Sequence, residues 1–220
     1  MVLPVKRLEH AKHRLSVLLA PSERRALMEA MLSDVLAALG RVSAPHELLM
    51  VTSDEIATRA GRDAGATVIP DTGEAGHSGA AALGVAAALA AGADRVLLVP
   101  GDCPLLDPGD VEALLELAPA PAGRVIVLPD RDGSGTNALL LEPPGAIAPA
   151  FGTGSHDRHL ALARAAGVPV ETREVASLLL DVDTPSDLMA LSTALEASPG
   201  SAPATEGRLA RLAPAVAAAR

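Results

Sequence analysis

Three aspartates follow apolar runs that read as strands. Asp102 comes after the run 95–99, and Asp181 and Asp183 come after 178–180. Open α/β sheets bind ligands beyond the carboxyl ends of their strands, and Gly101 allows close backbone approach just before Asp102. In an extended segment Asp181 and Asp183 point to the same side, because side chains alternate with a period of two. Hard carboxylate oxygens of this kind suit Mg²⁺, which keeps several waters and takes phosphate oxygens from its substrate. Alone, Asp102 reads as a turn or capping residue and Asp183 as the N-cap of a helix opening at Pro185. Capping accounts for one Asp but does not require the pair.

Complementary charge follows the first apolar run, 2–5. Lys6, Arg7, Lys12 and Arg14 fall within nine residues, joined by His10 and His13. A nucleoside triphosphate carries about four negative charges, and positioned Lys and Arg groups stabilise charge developing on a leaving pyrophosphate. A basic run is also an ordinary solvated face; its place at a strand's carboxyl end is what points to phosphate. Neither a G-x-x-x-x-G-K loop nor a G-x-G-x-x-G fingerprint follows a strand, and Gly73, Gly76 and Gly79 are spaced too loosely for either. Cys103 has no base placed beside it and reads as a partly buried loop residue. His156 and His159 lie three apart on a predicted helix, without a third ligand for zinc.

The elements that must position these groups alternate between β-branched or Leu-rich runs and helical segments. That is the pattern of a mostly parallel sheet flanked by helices, an α/β fold. Strands are predicted over 2–5, 48–52, 67–69, 95–99, 125–128, 138–141, 170–175 and 178–180. Helices are predicted from Pro21 to a stop at Gly40, then over 56–64, 80–91, 108–117, 156–166 and 185–195. Residues 198–207 read as a mobile Pro/Ser/Gly/Ala linker and 208–220 as a short basic helix without a catalytic role. The domain is taken as 1–197.

About half of the 220 residues are apolar (49%), yet no run is long enough to span a membrane. Lys6 and Arg7 lead into a charged stretch, unlike a signal peptide. A single cysteine excludes an internal disulfide and fits a reducing cytoplasm, where the chain is expected to work. The net charge of −9 argues against general nucleic-acid binding but not against a nucleotide ligand. Trp and Tyr are absent and Phe151 stands alone, so a base would be held by backbone polar groups and aliphatic contacts.

Six stretches in order resemble the 2-phospho-L-lactate and phosphoenolpyruvate guanylyltransferases of deazaflavin coenzyme (F-420) biosynthesis. They are Val5-Lys6-Arg7 with Lys12-His13-Arg14-Leu15; Ala75-Gly76-His77-Ser78; and Val99-Pro100-Gly101-Asp102-Cys103-Pro104-Leu105. Next come Pro129-Asp130-Arg131-Asp132-Gly133-Ser134-Gly135-Thr136-Asn137-Ala138-Leu139; Phe151-Gly152-Thr153-Gly154-Ser155; and Asp181-Val182-Asp183-Thr184-Pro185. Each is weak alone, but the ordered set covers nearly all of 2–188. The resemblance implies a single-domain nucleotidyltransferase fold of the glycosyltransferase-A type, with Mg²⁺ at Asp102, Asp181 and Asp183. It also implies attack of an acceptor phosphate on the α-phosphorus of GTP, with Lys6, Lys12 and Arg14 neutralising pyrophosphate.

Thr136, Gly152 and Ser155 would hold the phosphate and carboxylate of a small phosphorylated three-carbon acid, with Arg7, His77 and Ser78 as further substrate contacts. Ser155 also stands at a predicted helix start, which suits an anion or a plain N-cap equally. Guanine preference rests on the resemblance alone. The implied partners are GTP, the acid and a downstream transferase that takes the guanylylated product; no nucleic acid or membrane is implied. Competing readings are another acceptor (3-phosphoglycerate, a molybdenum cofactor or a sugar phosphate) and a non-catalytic nucleotide-binding regulator.

Overall fold

The central apolar runs become strands buried on both faces, as a sheet covered on each side requires, while the two edge strands stay partly exposed. The computed structural model describes residues 1–10, 12–73 and 76–217. Among these, the strands are β1 (Val2–Val5), β2 (Leu49–Thr52), β3 (Thr67–Pro70), β4 (Val96–Leu98), β5 (Arg124–Pro129), β6 (Thr136–Glu142) and β7 (Val170–Thr172). They form one sheet in the order β3-β2-β1-β4-β6-β5-β7. β6 runs antiparallel to β4 and β5, and the remaining pairs are parallel. The helices are α1 (Pro21–Leu39), α2 (Glu55–Asp63), α3 (Gly76–Ala90), α4 (Pro108–Leu115), α5 (Ser155–Ala165), α6 (Pro185–Ala197) and α7 (Pro203–Ala217).

Strand alternation divides the apolar side chains between two cores. Leu3, Leu97, Ile126 and Leu140 pack with residues of α1, α4, α6 and α7. Val2, Leu98, Val127 and Leu139 pack with residues of α3 and α5 on the other face. α3 can close on β1 because position 84 is glycine: a Cβ there would lie 2.2 Å from Val2 Cγ1.

Several sequence expectations fail, the two largest for physical reasons. Residues 178–180 are not a strand; Ala176–Leu178 form a 3-10 turn instead. Both edges of β4 are already taken, by β1 and β6. The carbonyls of Leu178 and Leu179 instead accept from the Asn137 side chain, at 2.7 and 3.1 Å. The supposed linker is likewise structured from Pro203 onward, where α7 begins. The N–H groups of Ala204 and Thr205 donate to the Asp34 carboxylate of α1, at 3.0 and 2.7 Å. Ala202 and Leu212 join the core. That cap lies about 170 residues away in sequence, so local composition could not reveal it. The helix expected in the tail thus starts earlier than 208, and residues 218–220 lie outside the described residues, as does Ala75 of the second stretch. Cys103 is fully rather than partly buried. No helix among the described residues is long and apolar enough to cross a membrane.

Candidate active site

β1 has β2 on one side and β4 on the other, so the connections after β1 and β4 diverge around a crevice at their carboxyl ends. The basic loop leaves β1 into this crevice. Its 3-10 turns, Leu8–His10 and His13–Val17, are pinned by buried Leu8, Leu15 and Leu19 and by the Leu8 N–H donating to Asp54 Oδ2 at 2.9 Å. Between the turns Lys12 adopts a left-handed backbone, φ 57° and ψ 40°. A side chain with a Cβ incurs on the order of 1 kcal/mol in that conformation. The turn sends the Lys12 stem inward, where Nζ donates to Asp102 Oδ2 and, at 2.7 Å, to Asp183 Oδ1. Burial opposes the charge on Lys12, but the two carboxylates outweigh it and hold the ammonium above the ordinary lysine range.

Asp102 follows β4, and its backbone carbonyl accepts from the Val182 N–H at 3.3 Å. Val182 is fully buried while Asp181 and Asp183 on either side are partly open. The expected alternation therefore survives without the expected strand. The capping alternative for Asp183 fails. Thr184 is the N-cap of α6, and Asp187 accepts from the N–H groups of Asp183 and Thr184 at 3.1 and 2.8 Å.

One carboxylate oxygen from each of Asp102, Asp181 and Asp183 lies within 4.8 Å of the others. Burial, then the charges of Asp102 and Asp183, push Asp181 up to about 7, against Lys12 and a 3.3 Å hydrogen bond from Asn137. Burial also acts to raise Asp183, but Lys12, Arg14 and Lys6 hold it below the usual carboxylate range. Three oxygen donors with surplus negative charge, and an ammonium already seated on two of them, fit a divalent cation.

The facing wall comes from β6 and the start of α5. The Asp130 carboxylate accepts from the N–H groups of Ser134 and Gly135, at 3.0 and 2.9 Å, and so shapes the turn into Thr136. Gly135 suits this turn, since a Cβ would meet Asp130 Oδ2 at 2.2 Å and displace the carboxylate that shapes it. Arg131 ties the turn to α6 through Asp187 Oδ1 at 2.8 Å. Gly152 and Gly154 take φ of 107° and 69° just ahead of α5, and Arg158 braces this loop by donating to the Ala150 and Thr153 carbonyls. The Ser155 N–H is committed to the Gly152 carbonyl at 2.9 Å. The Ser155 hydroxyl is buried and has no hydrogen-bond partner among the described residues. A buried hydroxyl left in that state is costly, and at this position in the cleft a water or a ligand oxygen can meet it.

These walls enclose a cleft of about 710 Å³ lined by Lys6, Arg7, Lys12, Arg14, His77, Asp102, Thr136, Gly152, Ser155, Asp181 and Asp183. Of the site residues expected from sequence, Ser78 is not among those lining it. Burial drops His77 to about 4, with Asp102 opposing and Lys6 adding to the shift. Phe151 meets the rings of His77 and His159 edge-on, at centroid distances of 4.8 and 5.3 Å.

Cys103 is fully buried, and burial pushes its thiol well above its usual value, which disfavours the thiolate a nucleophile needs. His156 and His159 do not share a ligand. His156 Nε2 pairs with Thr172 Oγ1 at 2.9 Å and His159 Nδ1 with Thr136 Oγ1 at 3.0 Å. Sequence reasoning assigned no role to Asn137, which holds the Asp181 loop, or to His159 beneath Thr136. The one available signal for Asn137 was its place beside Thr136.

Comparison with known proteins identifies the family and the fold. Residues 1–195 match the family described as "Guanylyl transferase CofC like". The chain belongs to this family. Among CofC-like relatives, the phosphoenolpyruvate guanylyltransferase of Conexibacter woesei is 48% identical over 212 residues, covering 96% of this chain and 95% of that protein. That of Sphaerobacter thermophilus is 41% identical, covering 87% and 91%. The 2-phospho-L-lactate guanylyltransferase of Methanothermobacter thermautotrophicus is 37% identical, covering 85% and 81%. A solved chain from Desulfovibrio desulfuricans G20, provisionally described as a nucleotide-diphospho-sugar transferase, superposes with a TM-score of 0.78 at 17% identity, covering 99% and 96%. A nucleotidyl transferase from a Methanothermobacter superposes at 0.59 with 18% identity, covering 90% and 99%. The CofC-like chain therefore has the nucleotidyltransferase fold, and its relatives are transferases of guanylyl groups.

Proposed function

We propose that this chain transfers GMP from GTP to phosphoenolpyruvate and releases pyrophosphate, as a step in the biosynthesis of coenzyme F-420. The observation that carries the reading is one cleft in which the Asp102–Asp181–Asp183 cluster, with Lys12 on it, faces the unpartnered Ser155 hydroxyl. The first feature suits a triphosphate and the second an acidic acceptor. Two of the relatives named above take their names from phosphoenolpyruvate. The less similar relative named for 2-phospho-L-lactate supplies the second acceptor to test.

In this reading the acceptor's phosphate oxygen attacks the α-phosphorus of GTP. The new phosphorus–oxygen bond forms as the bond from that phosphorus to the bridging oxygen breaks, and pyrophosphate carries away the electron pair. No general base is required, because a phosphate dianion is already nucleophilic at neutral pH. Lys6, Arg7 and Arg14 line the mouth of the cleft where leaving pyrophosphate needs compensation. Lys12 holds two of the aspartates in register and offers its charge to the phosphates. Asp102, Asp181 and Asp183 would hold Mg²⁺, the ion these hard donors suit, which screens phosphate charge when bound. Thr136, the Gly152 loop and Ser155 would orient the acid, and His77 closes the wall beside them.

The test is pyrophosphate release with Mg²⁺, each of GTP, ATP and CTP, and each of phosphoenolpyruvate, 2-phospho-L-lactate and 3-phosphoglycerate. A downstream transferase is included to trap a labile product. Release with GTP and phosphoenolpyruvate, and little with other pairs, is expected. Release that needs a different nucleotide or acid refutes the assignment.

A further inference from the structure

His159 lies beneath the acceptor wall, wholly buried and out of reach of solvent. Both ring nitrogens are engaged. The Ala150 backbone N–H donates to Nε2 at 2.9 Å, and Nδ1 pairs with Thr136 Oγ1 at 3.0 Å. A backbone N–H can only donate, so Nε2 carries no proton. A neutral imidazole keeps one N–H, which must then be on Nδ1, and Nδ1 is the donor to the Thr136 oxygen. With its oxygen accepting from below, the Thr136 hydroxyl has its own proton left to give. Thr136 lines the cleft beside Ser155.

We propose that His159 is a positioning residue: it locks the Thr136 hydroxyl as a hydrogen-bond donor into the cleft, toward an anionic oxygen of the acceptor acid. The chain Ala150 N–H to His159 to Thr136 converts a fixed backbone donor into a side-chain donor of fixed direction. Thr136 left to itself could rotate to present a lone pair, which would repel a phosphate or carboxylate. Phe151, packed edge-on to the ring, keeps it from turning. The inference rests on the acceptor reading of this wall given above.

Two measurements test it. Nitrogen NMR of the free protein reports the tautomer directly: a neutral His159 with the proton on Nδ1 is expected. An Nε2–H ring or an imidazolium overturns the relay whether or not the protein turns anything over. Steady-state kinetics then report its purpose. His159→Gln keeps an acceptor near Ala150 but loses the donor to Thr136; His159→Asn keeps a donor near the Nδ1 position. For Gln, KM for the acid should rise about tenfold to a hundredfold, the range for one hydrogen bond to a charged partner. KM for GTP should stay within about twofold, and Asn should recover part of the loss.

Thr136→Val should reproduce the Gln effect, and the double variant Thr136→Val with His159→Gln should be no worse than either single one. Additive losses, or equal losses toward GTP and acid, contradict the proposal. A correct tautomer in a protein indifferent to all the three-carbon acids would instead overturn the acceptor assignment.

Discussion

Lys12 reaches Asp102 and Asp183 from a strained left-handed backbone, a combination that a solvated basic loop has no reason to adopt. Replacing it by methionine keeps the stem and removes the charge, so three carboxylates are left to repel one another. Lys12→Met should lower GTP turnover by about a hundredfold or more, the usual effect of removing one electrostatic group at a reacting centre. Asp102→Asn should cost at least as much while thermal melting shows an intact fold; retained activity would remove this residue from the site.

His159 makes a prediction about pH. Burial first, then Arg158 and His156, depress it from 6.5 to about 4. Between those values the unfolded chain binds more protons than the folded one, so stability rises with pH. The contribution is complete above about 6.5 and is lost as pH falls toward about 4. The melting-temperature gap between the wild type and His159→Gln should therefore narrow as pH is lowered through that range. A constant gap would contradict a neutral buried ring.

Asp102, Asp181, Asp183 and Lys12 were legible from residue type and position after apolar runs. Thr136, Gly152 and Ser155 were reached only through resemblance. Asn137 and His159 act through partners 41 and 23 residues away, which no local spacing encodes.

Among the elements, α7 shows how a capping bond decides structure that composition hides. Asp34 on α1 is mostly buried and supplies the acceptor for the first turn of α7. Asp34→Ala should destabilise the protein by about 0.5–2 kcal/mol, the usual loss for an N-cap, read as a lower denaturant midpoint. Removing residues 198–220 should cost more, because it uncovers the apolar face of α1 that Leu212 helps to cover. No described residue of α7 lines the cleft, so both variants should keep their activity well below their melting temperatures. Unchanged stability on truncation would restore the linker reading. The strands and remaining helices were legible because binary pattern and Gly stops agree there. The segment 178–180 misled because an apolar triplet can be a strand only where a neighbouring edge is open.

At the scale of the molecule, a chain of net charge −9 gathers Lys6, Arg7, Lys12 and Arg14 at one crevice. The acidic surface and the basic site are compatible because charge is felt locally, within a Debye length of about 8 Å at physiological salt. The sheet order explains the gathering. β1 and β4 are adjacent although 90 residues of sequence separate Lys12 from Asp102, and the 181–183 loop returns beside Asp102 through the Val182 hydrogen bond. Sequence order disclosed which segments matter; only the topology discloses that they meet.

The most direct measurement uses GTP labelled at its α-phosphorus, incubated with the protein, Mg²⁺ and phosphoenolpyruvate. The label should move onto the acid as an anhydride, one pyrophosphate appearing for each transfer and no transfer occurring without the acid. Label that remains in GTP with folded protein, or that appears as free GMP irrespective of the acid, would contradict guanylyl transfer at this cleft.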